Sequence, residues 1–388
     1  MLLIYPEWDV KKYLAILAIL AGFISYAGVS LWTLTNVNHQ FISDIDIYLR
    51  AGNKILRSED PYQPFSVGTA FVYPPAALLL FAPLSFVESA HLLWTALSLA
   101  CLVAASWILA SIFRPSASAK VALAFTASMV LFTPSLEVLT IGQVNFVVLF
   151  CLALFVRGYL DQKHQWSGDL GLALAISIKM TPAILVALPF FSRDWKRCLR
   201  IAVGVGSLFA ITVILWGLGP WLDFLQVFPT ILRGFPFTLN EAIGPSLQWL
   251  AWRLGIPANL YWVGRVFSGL VLLSWLGAAA LGSRRKPAAA LLGLGITTMV
   301  TSSNLIWFHH LTFLIIPFAY LVLSRTSWAS REAGVTVCSL VAFGLVHISR
   351  LVEYPLDIPP VAAIAGYQLL FAASWMKVIL IEPEPLPG

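Results

Sequence analysis

The first long polar interruption in an otherwise apolar chain, Ser43-Asp44-Ile45-Asp46-Ile47-Tyr48, carries two carboxylates. A carboxylate within hydrogen-bond reach of a hydroxyl can act as its general base. Asp44 and Asp46 are two positions apart, so on a helix they point about 200° from one another and cannot form a carboxylate pair. At most one of them faces a pocket. Asp44 and Tyr48 stand at i and i+4 on one helix face, so an inward Asp44 has the Tyr48 ring and hydroxyl beside it. Asp44 is therefore the leading candidate and Asp46 the runner-up. The alternative for both is a plain N-terminal acid, favoured there by capping and the helix dipole.

Cationic groups that would meet a phosphate lie far along the chain. Lys179 sits between apolar half-helices, where an ionisable group is costly and is a functional candidate by default; the alternative is snorkelling to the nearest interface. As a point charge it suits a phosphate. His309-His310 follows Trp307 at an expected membrane boundary. Adjacent histidines diverge on a helix, so they do not make the i, i+4 metal pair, and no metal is expected. An imidazole beside an anionic phosphate favours its cationic form and donates to it; anchoring at the interface with Trp307 is the alternative. Gln143, Asn145 and Arg253 are either hydrogen-bond donors to a sugar or phosphate or ordinary outer-loop residues. Walker, GxSxG, HExxH and dinucleotide motifs are absent from the sequence, and no cofactor is expected.

The elements that must position these groups are helices in a bilayer. The chain is 59% hydrophobic and 11% charged, with a mean hydropathy of +0.85, whereas a soluble domain carries about 25% charged residues. The net charge of +6 comes from short Lys/Arg clusters between apolar runs, which reads as a topology signal and not as a nucleic-acid surface. Cys101, Cys151, Cys198 and Cys338 lack CxxC spacing and read as packing residues. The expected fold is an all-α polytopic membrane protein, a single domain over 1–388, with the first span at 14–34 and Lys11-Lys12 holding the N-terminus in the cytoplasm.

Two outer segments are then expected, 36–75 and 219–258. The first should hold a short helix over 44–56, capped by Ser43 and lying along the membrane surface. Further spans are read at 89–113, 121–139, 146–156, 201–218, 261–281, 288–302, 311–323, 334–348 and 361–379. The stretch 168–191 has basic residues at both ends, so it is read as two half-helices meeting at Lys179-Met180-Thr181-Pro182, a break allowed only where it is buried or lines a cavity. The spans are read as free of acidic residues. On this topology Asp44, Gln143, Asn145, Lys179, Arg253 and the histidine pair all come out on the extracytoplasmic side.

Asp44-x-x-x-Tyr48, Asp60-Pro61-Tyr62, Tyr73-Pro74-Pro75, Gly142-Gln143-Val144-Asn145, Lys179-Met180-Thr181-Pro182, Ser246-Leu247 leading to Arg253, and Trp307-x-His309-His310 follow one another along the chain. In that order they resemble the GT-C superfamily of glycosyltransferases, most closely glycosyltransferase family 87, which includes mycobacterial mannosyltransferases of phosphatidylinositol mannoside assembly. The resemblance implies a GT-C-type bundle of about ten to twelve transmembrane helices with a helical first outer loop. It also implies transfer of a hexose, commonly mannose, from a polyprenyl-phosphate-sugar donor to a lipid or glycan acceptor at the outer face of the cell (inner) membrane. By its place in the Asp-x-x-x-Tyr pattern Asp44 is the base of a single inverting displacement, and Lys179, His309, His310 or Arg253 meets the departing phosphate. Tyr48, Asp60, Tyr62, Tyr73, Gln143, Asn145 and Trp307 complete the implied substrate-binding set. The family's histidine motif tends to read Ser-Pro-x-Ser-Trp-x-His-His; here Asn304 replaces the proline and Ile306 the second serine. A secondary transporter, argued from the break at Lys179, and a lipid-binding protein without turnover are the competing readings.

Overall fold

A computed structural model describes residues 43–65, 70–116, 118–233, 240–283, 286–324, 330–356 and 360–380, with isolated positions at 24, 28 and 31. Apart from those three positions the expected span at 14–34 lies outside the described residues, as do Lys11-Lys12 and the tail after 380. The described residues contain helices and no strand.

Helix α1 (Asp44–Leu56) forms where the apolar spacing placed it, with Ile45, Tyr48, Ala51, Gly52 and Ile55 on its buried side. Ser43 does not cap it with its side chain; the hydroxyl instead donates to the Ile141 carbonyl at 3.3 Å. A 3-10 turn (Pro75–Ala77) leads into α2 (Leu78–Leu84). α2 lies so close on α1 that a Cβ at Gly52 would stand 2.6 Å from the Phe81 carbonyl oxygen.

After α3 (Ala90–Phe113), the run expected as one span over 121–139 is two helices, α4 (Ala119–Val130) and α5 (Thr133–Ile141), bent by 61°. Pro134 explains the break, because a proline ring clashes with the carbonyl four residues before it, here that of Val130. α6 (Asn145–Leu160) and α7 (Gln165–Ile178) make a tight hairpin, in which a Cβ on Gly158 would stand 2.8 Å from the Gly168 Cα. Pro182 ends α7 at Ile178 by the same clash. Lys179 is left extended (φ −144°, ψ 117°), and the chain turns through a 3-10 stretch (Thr181–Val186) into α8 (Ala187–Phe191).

The start of 165–191 is tied to the start of α9 (Trp195–Trp216), which follows its end in the chain: the Asp169 carboxylate meets Arg197 Nε at 3.2 Å and Arg200 Nε at 2.6 Å, and Arg197 also donates to the Gly158 carbonyl of α6. The segment thus turns back at Lys179 and returns to the end of the bundle it left. Then follow α10 (Gly219–Arg233), α11 (Ile243–Arg253), α12 (Tyr261–Gly282), α13 (Ala288–Thr301), a 3-10 stretch (Phe308–Leu314), α14 (Ile315–Leu323), α15 (Ser330–Leu356) and α16 (Val361–Leu380).

Among the described residues, α3, α9, α12, α15 and α16 are long and apolar enough to cross a bilayer, six spans if the bent α4/α5 pair counts as one. The described residues thus hold fewer full-length spans than the ten to twelve expected of the chain. At 16 and 14 residues, α6 and α13 rise about 24 and 21 Å, short of a ~30 Å hydrocarbon core. Exposed apolar side chains such as Leu199, Val203 and Ile214 on α9 and Val266, Leu270 and Leu273 on α12 suit contact with lipid tails.

Candidate active site

Gly142 starts the site. It caps α5 in the left-handed region (φ 71°, ψ 37°), and a Cβ there would lie 2.8 Å from the Ile45 side chain. Glycine is the residue that tolerates both conditions. The turn it makes delivers Gln143 against α1, while Trp94 Nε1 donates to the Gly142 carbonyl at 2.7 Å.

Gln143 is the junction of the acidic half. Its Oε1 accepts from the Tyr48 hydroxyl (2.8 Å), the Tyr73 hydroxyl (3.0 Å) and the Val144 amide (2.9 Å). Three donors on one oxygen fix the amide's orientation, so Nε2 must point the other way, and it donates to Asp44 Oδ2 at 2.5 Å. Asp44 is half-buried. Burial pushes its carboxyl up to about 7, against the lowering pull of the Gln143 hydrogen bond, with smaller opposing effects from Glu137 (raising) and Lys179 (lowering). Burial likewise holds the Tyr48 and Tyr73 phenols well above their ordinary range, so they stay neutral donors. Asp46 points elsewhere, to an exposed contact with His91 at 2.8 Å.

Asn145, two residues after Gln143, joins the cationic half. Its Oδ1 accepts from Lys179 Nζ at 2.9 Å and its Nδ2 donates to the His309 carbonyl at 2.9 Å. Lys179 Nζ also lies 5.7 Å from the centre of the Tyr73 ring, facing the acidic half, and 5.5 Å from that of Phe313. His309 is sandwiched: Trp307 stacks parallel to it at 6.2 Å and His310 meets it edge-on at 4.8 Å. The segment 304–307 is clamped by Asn240, whose Oδ1 accepts from the Ile306 amide, and by Glu241, whose amide donates to the Ile306 carbonyl.

Other candidates have bonds that shape the surroundings. Asp60 Oδ1 accepts from the Tyr62 amide at 2.8 Å, and the Tyr62 hydroxyl donates to the Tyr73 carbonyl at 2.8 Å, so this pair holds the loop that presents Tyr73. Arg253 is exposed at the end of α11, its guanidinium 5.3 Å from the Trp249 ring centre.

Sequence reasoning missed Glu137, Glu241 and Arg350. Glu137 is buried on α5, its two oxygens 3.2 Å from His309 Nδ1 and 3.5 Å from Arg350 Nη2; Arg350 Nη1 is 3.3 Å from Glu241 Oε1. The expectation of spans free of acid is thus wrong, since Glu137 falls within 121–139 and Asp169 within 168–191. The signal was in the sequence: a glutamate one turn past Thr133-Pro134 in an apolar run is a functional candidate by default.

With the geometry in hand, a sequence model described as Glycosyltransferase family 87 matches residues 71–306, more than half of the chain. The chain belongs to glycosyltransferase family 87. By its apolar helices it is a multi-pass membrane member of that family. It is 27% identical over 194 residues to the alpha-(1->3)-arabinofuranosyltransferase of Mycobacterium tuberculosis, covering 49% of this chain and 43% of that relative. Against the polyprenol-phosphate-mannose-dependent alpha-(1-2)-phosphatidylinositol mannoside mannosyltransferase of Mycolicibacterium smegmatis it is 26% identical over 340 residues, 78% of this chain and 73% of the relative. An alpha-(1->3)-arabinofuranosyltransferase of Corynebacterium glutamicum matches at 23% over 374 residues, 90% of this chain and 80% of the relative. No solved structure matches the chain. The family match begins after Asp44 and ends before His309, so the geometry, and not that match, brings these two residues together.

Proposed function

We propose that the protein transfers a sugar, mannose in the first instance, from a polyprenyl-phosphate donor to a glycolipid or glycan hydroxyl, with inversion and with Asp44 as general base. One observation carries this reading: the Asp44 carboxylate is held on Gln143 in the same buried assembly that holds Lys179 and His309 through Asn145. Acid and cation are the two things a displacement at an anomeric carbon needs at its two ends.

The acceptor hydroxyl attacks the anomeric carbon and gives its proton to Asp44, while the bond from that carbon to the phosphate oxygen breaks and its electron pair leaves with the lipid phosphate. A carboxyl near 7 combines strength as a base with a usable fraction ionised at neutral pH. Negative charge develops on the phosphate, where preorganised donors count most; Lys179, His309 and His310 are the groups placed to meet it. Tyr48, Tyr73 and Gln143 hold Asp44, and Asp60 and Tyr62 hold Tyr73. Trp307 backs the histidines. Arg253, near the mouth of α11, suits the outer part of a lipid phosphate or acceptor.

Arabinofuranose is the second reading for the sugar, because relatives named as arabinofuranosyltransferases match about as well as the mannosyltransferases. The test uses purified protein in detergent with polyprenyl-phosphate-mannose, a polyprenyl-phosphate arabinofuranose donor and a mixed glycolipid pool. Transfer from one donor that is lost in Asp44→Asn supports the mechanism. Transfer undiminished in that variant removes Asp44 as base, and solute flux in liposomes without transfer favours a transporter.

A further inference from the structure

Behind His309 lies a row of buried charge that the displacement itself does not touch. Glu137 takes His309 Nδ1 on one oxygen and Arg350 on the other, and Arg350 reaches on to Glu241. Glu137 lies on the bent α4/α5 stretch and Arg350 on the continuous α15, and the two are brought together because Thr133, at the start of α5, bonds twice to His347 of α15: its amide to the ring Nδ1 at 3.3 Å and its hydroxyl to the carbonyl at 2.8 Å. On the far side of the imidazole, Nε2 has no hydrogen-bond partner, although the residue is only 4% exposed. The backbone of His309 is held as well, through Asn145, the same side chain that holds Lys179. Ring, carbonyl and neighbouring cation are therefore all fixed, and the one free valence is Nε2.

A carboxylate at Nδ1 decides where the ring's protons sit. Nδ1–H donates to it, so any second proton is carried on Nε2. A phosphate arriving at Nε2 places the ring between two anions, and the imidazolium then has a compensating charge at each nitrogen. Building on the function proposed above, we infer that Glu137 is a positioning residue for the transfer: by holding His309 through Nδ1 it turns Nε2–H toward the phosphate of the lipid donor. Arg350 and Glu241 brace Glu137 from behind. The proton on Nε2 is taken up from solvent as the phosphate binds, is shared with the phosphate only as a hydrogen bond, and leaves with product release. Lys179 from the 165–191 turn is the other charged group that acts on this ring, beside Glu137 and Arg350, and His310 meets it edge-on.

Glu137→Gln keeps the size and loses the charge. The expected result is a fall in kcat of about 10²-fold, the scale of removing one preorganised donor from a developing anion, with the donor KM changed by less than about threefold and Glu137→Asp recovering part of the loss. In a His309→Ala background the same substitution should add nothing beyond about twofold, because residues acting as one unit are non-additive. Independent, multiplying losses in the double variant overturn the inference, as does full activity in Glu137→Gln. Should that variant not fold, Glu137→Asp keeps a charge beside Arg350 and draws it back from His309 Nδ1, and a kcat loss that vanishes in the His309→Ala background is then expected, with full activity in Glu137→Asp overturning the inference. Failure of the underlying function shows differently: wild type then transfers nothing from any lipid phosphate. In that event binding of undecaprenyl phosphate, a monoester carrying the charge that the donor's phosphodiester gains only as the sugar leaves, is compared between wild type and Glu137→Gln, with about tenfold weakening expected and equal affinity overturning the inference.

Discussion

Asp44 sits where ionisation works against folding. Its pKa stands at about 7 in the folded chain against an ordinary 3.8, so the folded state holds the proton more tightly than the unfolded one. The stability this gives is full below about 4 and is lost as pH rises toward about 7. Asp44→Asn, neutral throughout, should therefore melt at a higher temperature than wild type at pH 8 while transferring at least about 10²-fold more slowly; a lower melting point would make Asp44 a structural residue. For the wild type, kcat/KM should climb with pH to a plateau above about 7, since the carboxylate is the working form, and a flat profile from pH 5 to 8 would sink that role. Asp46→Asn removes only an exposed contact with His91 and should keep activity within about twofold. The separation of these two acids was readable in the sequence, because spacing alone places them on different faces. The Gln143 amide that joins Asp44 to two tyrosines was not, because a three-donor junction is a property of packing between segments 70 to 99 residues apart.

The helices break where the site needs a side chain turned inward. Pro134 and Pro182 end α4 and α7 four residues upstream, and Gly142 ends α5 in a conformation other residues resist. Gly142→Ala meets a left-handed cost of about 1–2 kcal/mol and an overlap with Ile45, and either one moves Gln143. It should lose transfer about tenfold or more along with stability. Gly52→Ala overlaps the Phe81 carbonyl instead and should destabilise by about 1–3 kcal/mol while the folded fraction keeps most of its turnover. Melting curves paired with rates on the folded fraction separate the two, and equal kcat losses would refute the assignment of Gly142 to the site. Of these elements, α1 and the break at Lys179 were legible from periodicity and from basic residues at both ends of one apolar run. The bend at Pro134 was written in the sequence but outweighed by hydrophobic length. The span count from the sequence rests on hydrophobic length too, and an apolar run reads alike whether lipid or other helices surround it.

At the scale of the whole molecule, two ends of the bundle differ in charge. α6, α7, α9 and the turn between α6 and α7 carry Arg157, His164, Asp169, Arg197 and Arg200 at one end, where Asp169 joins Arg197 to Arg200 and Arg197 donates to Gly158. The other ends of α6 and α7 hold Asn145 and Lys179. α9 has 22 residues and rises about 33 Å, a bilayer's width. From its far end the chain enters α10, whose Phe224 packs on Tyr62 of the Asp44 loop at 5.8 Å. Positive charge favours the cytoplasmic side, so the prediction is that the basic cluster faces the cytoplasm and that the site, towards the far end of α9, opens outward. With Cys101, Cys151, Cys198 and Cys338 replaced, single cysteines at the exposed Arg50 and Lys196 positions report the two faces. A membrane-impermeant maleimide on intact cells stripped of their outer envelope should label Arg50→Cys at once and Lys196→Cys only after permeabilisation. The reverse pattern would place the chemistry in the cytoplasm, where nucleotide sugars and not lipid phosphates become the natural donors; labelling of both in intact cells would mean that α9 does not cross the membrane at all.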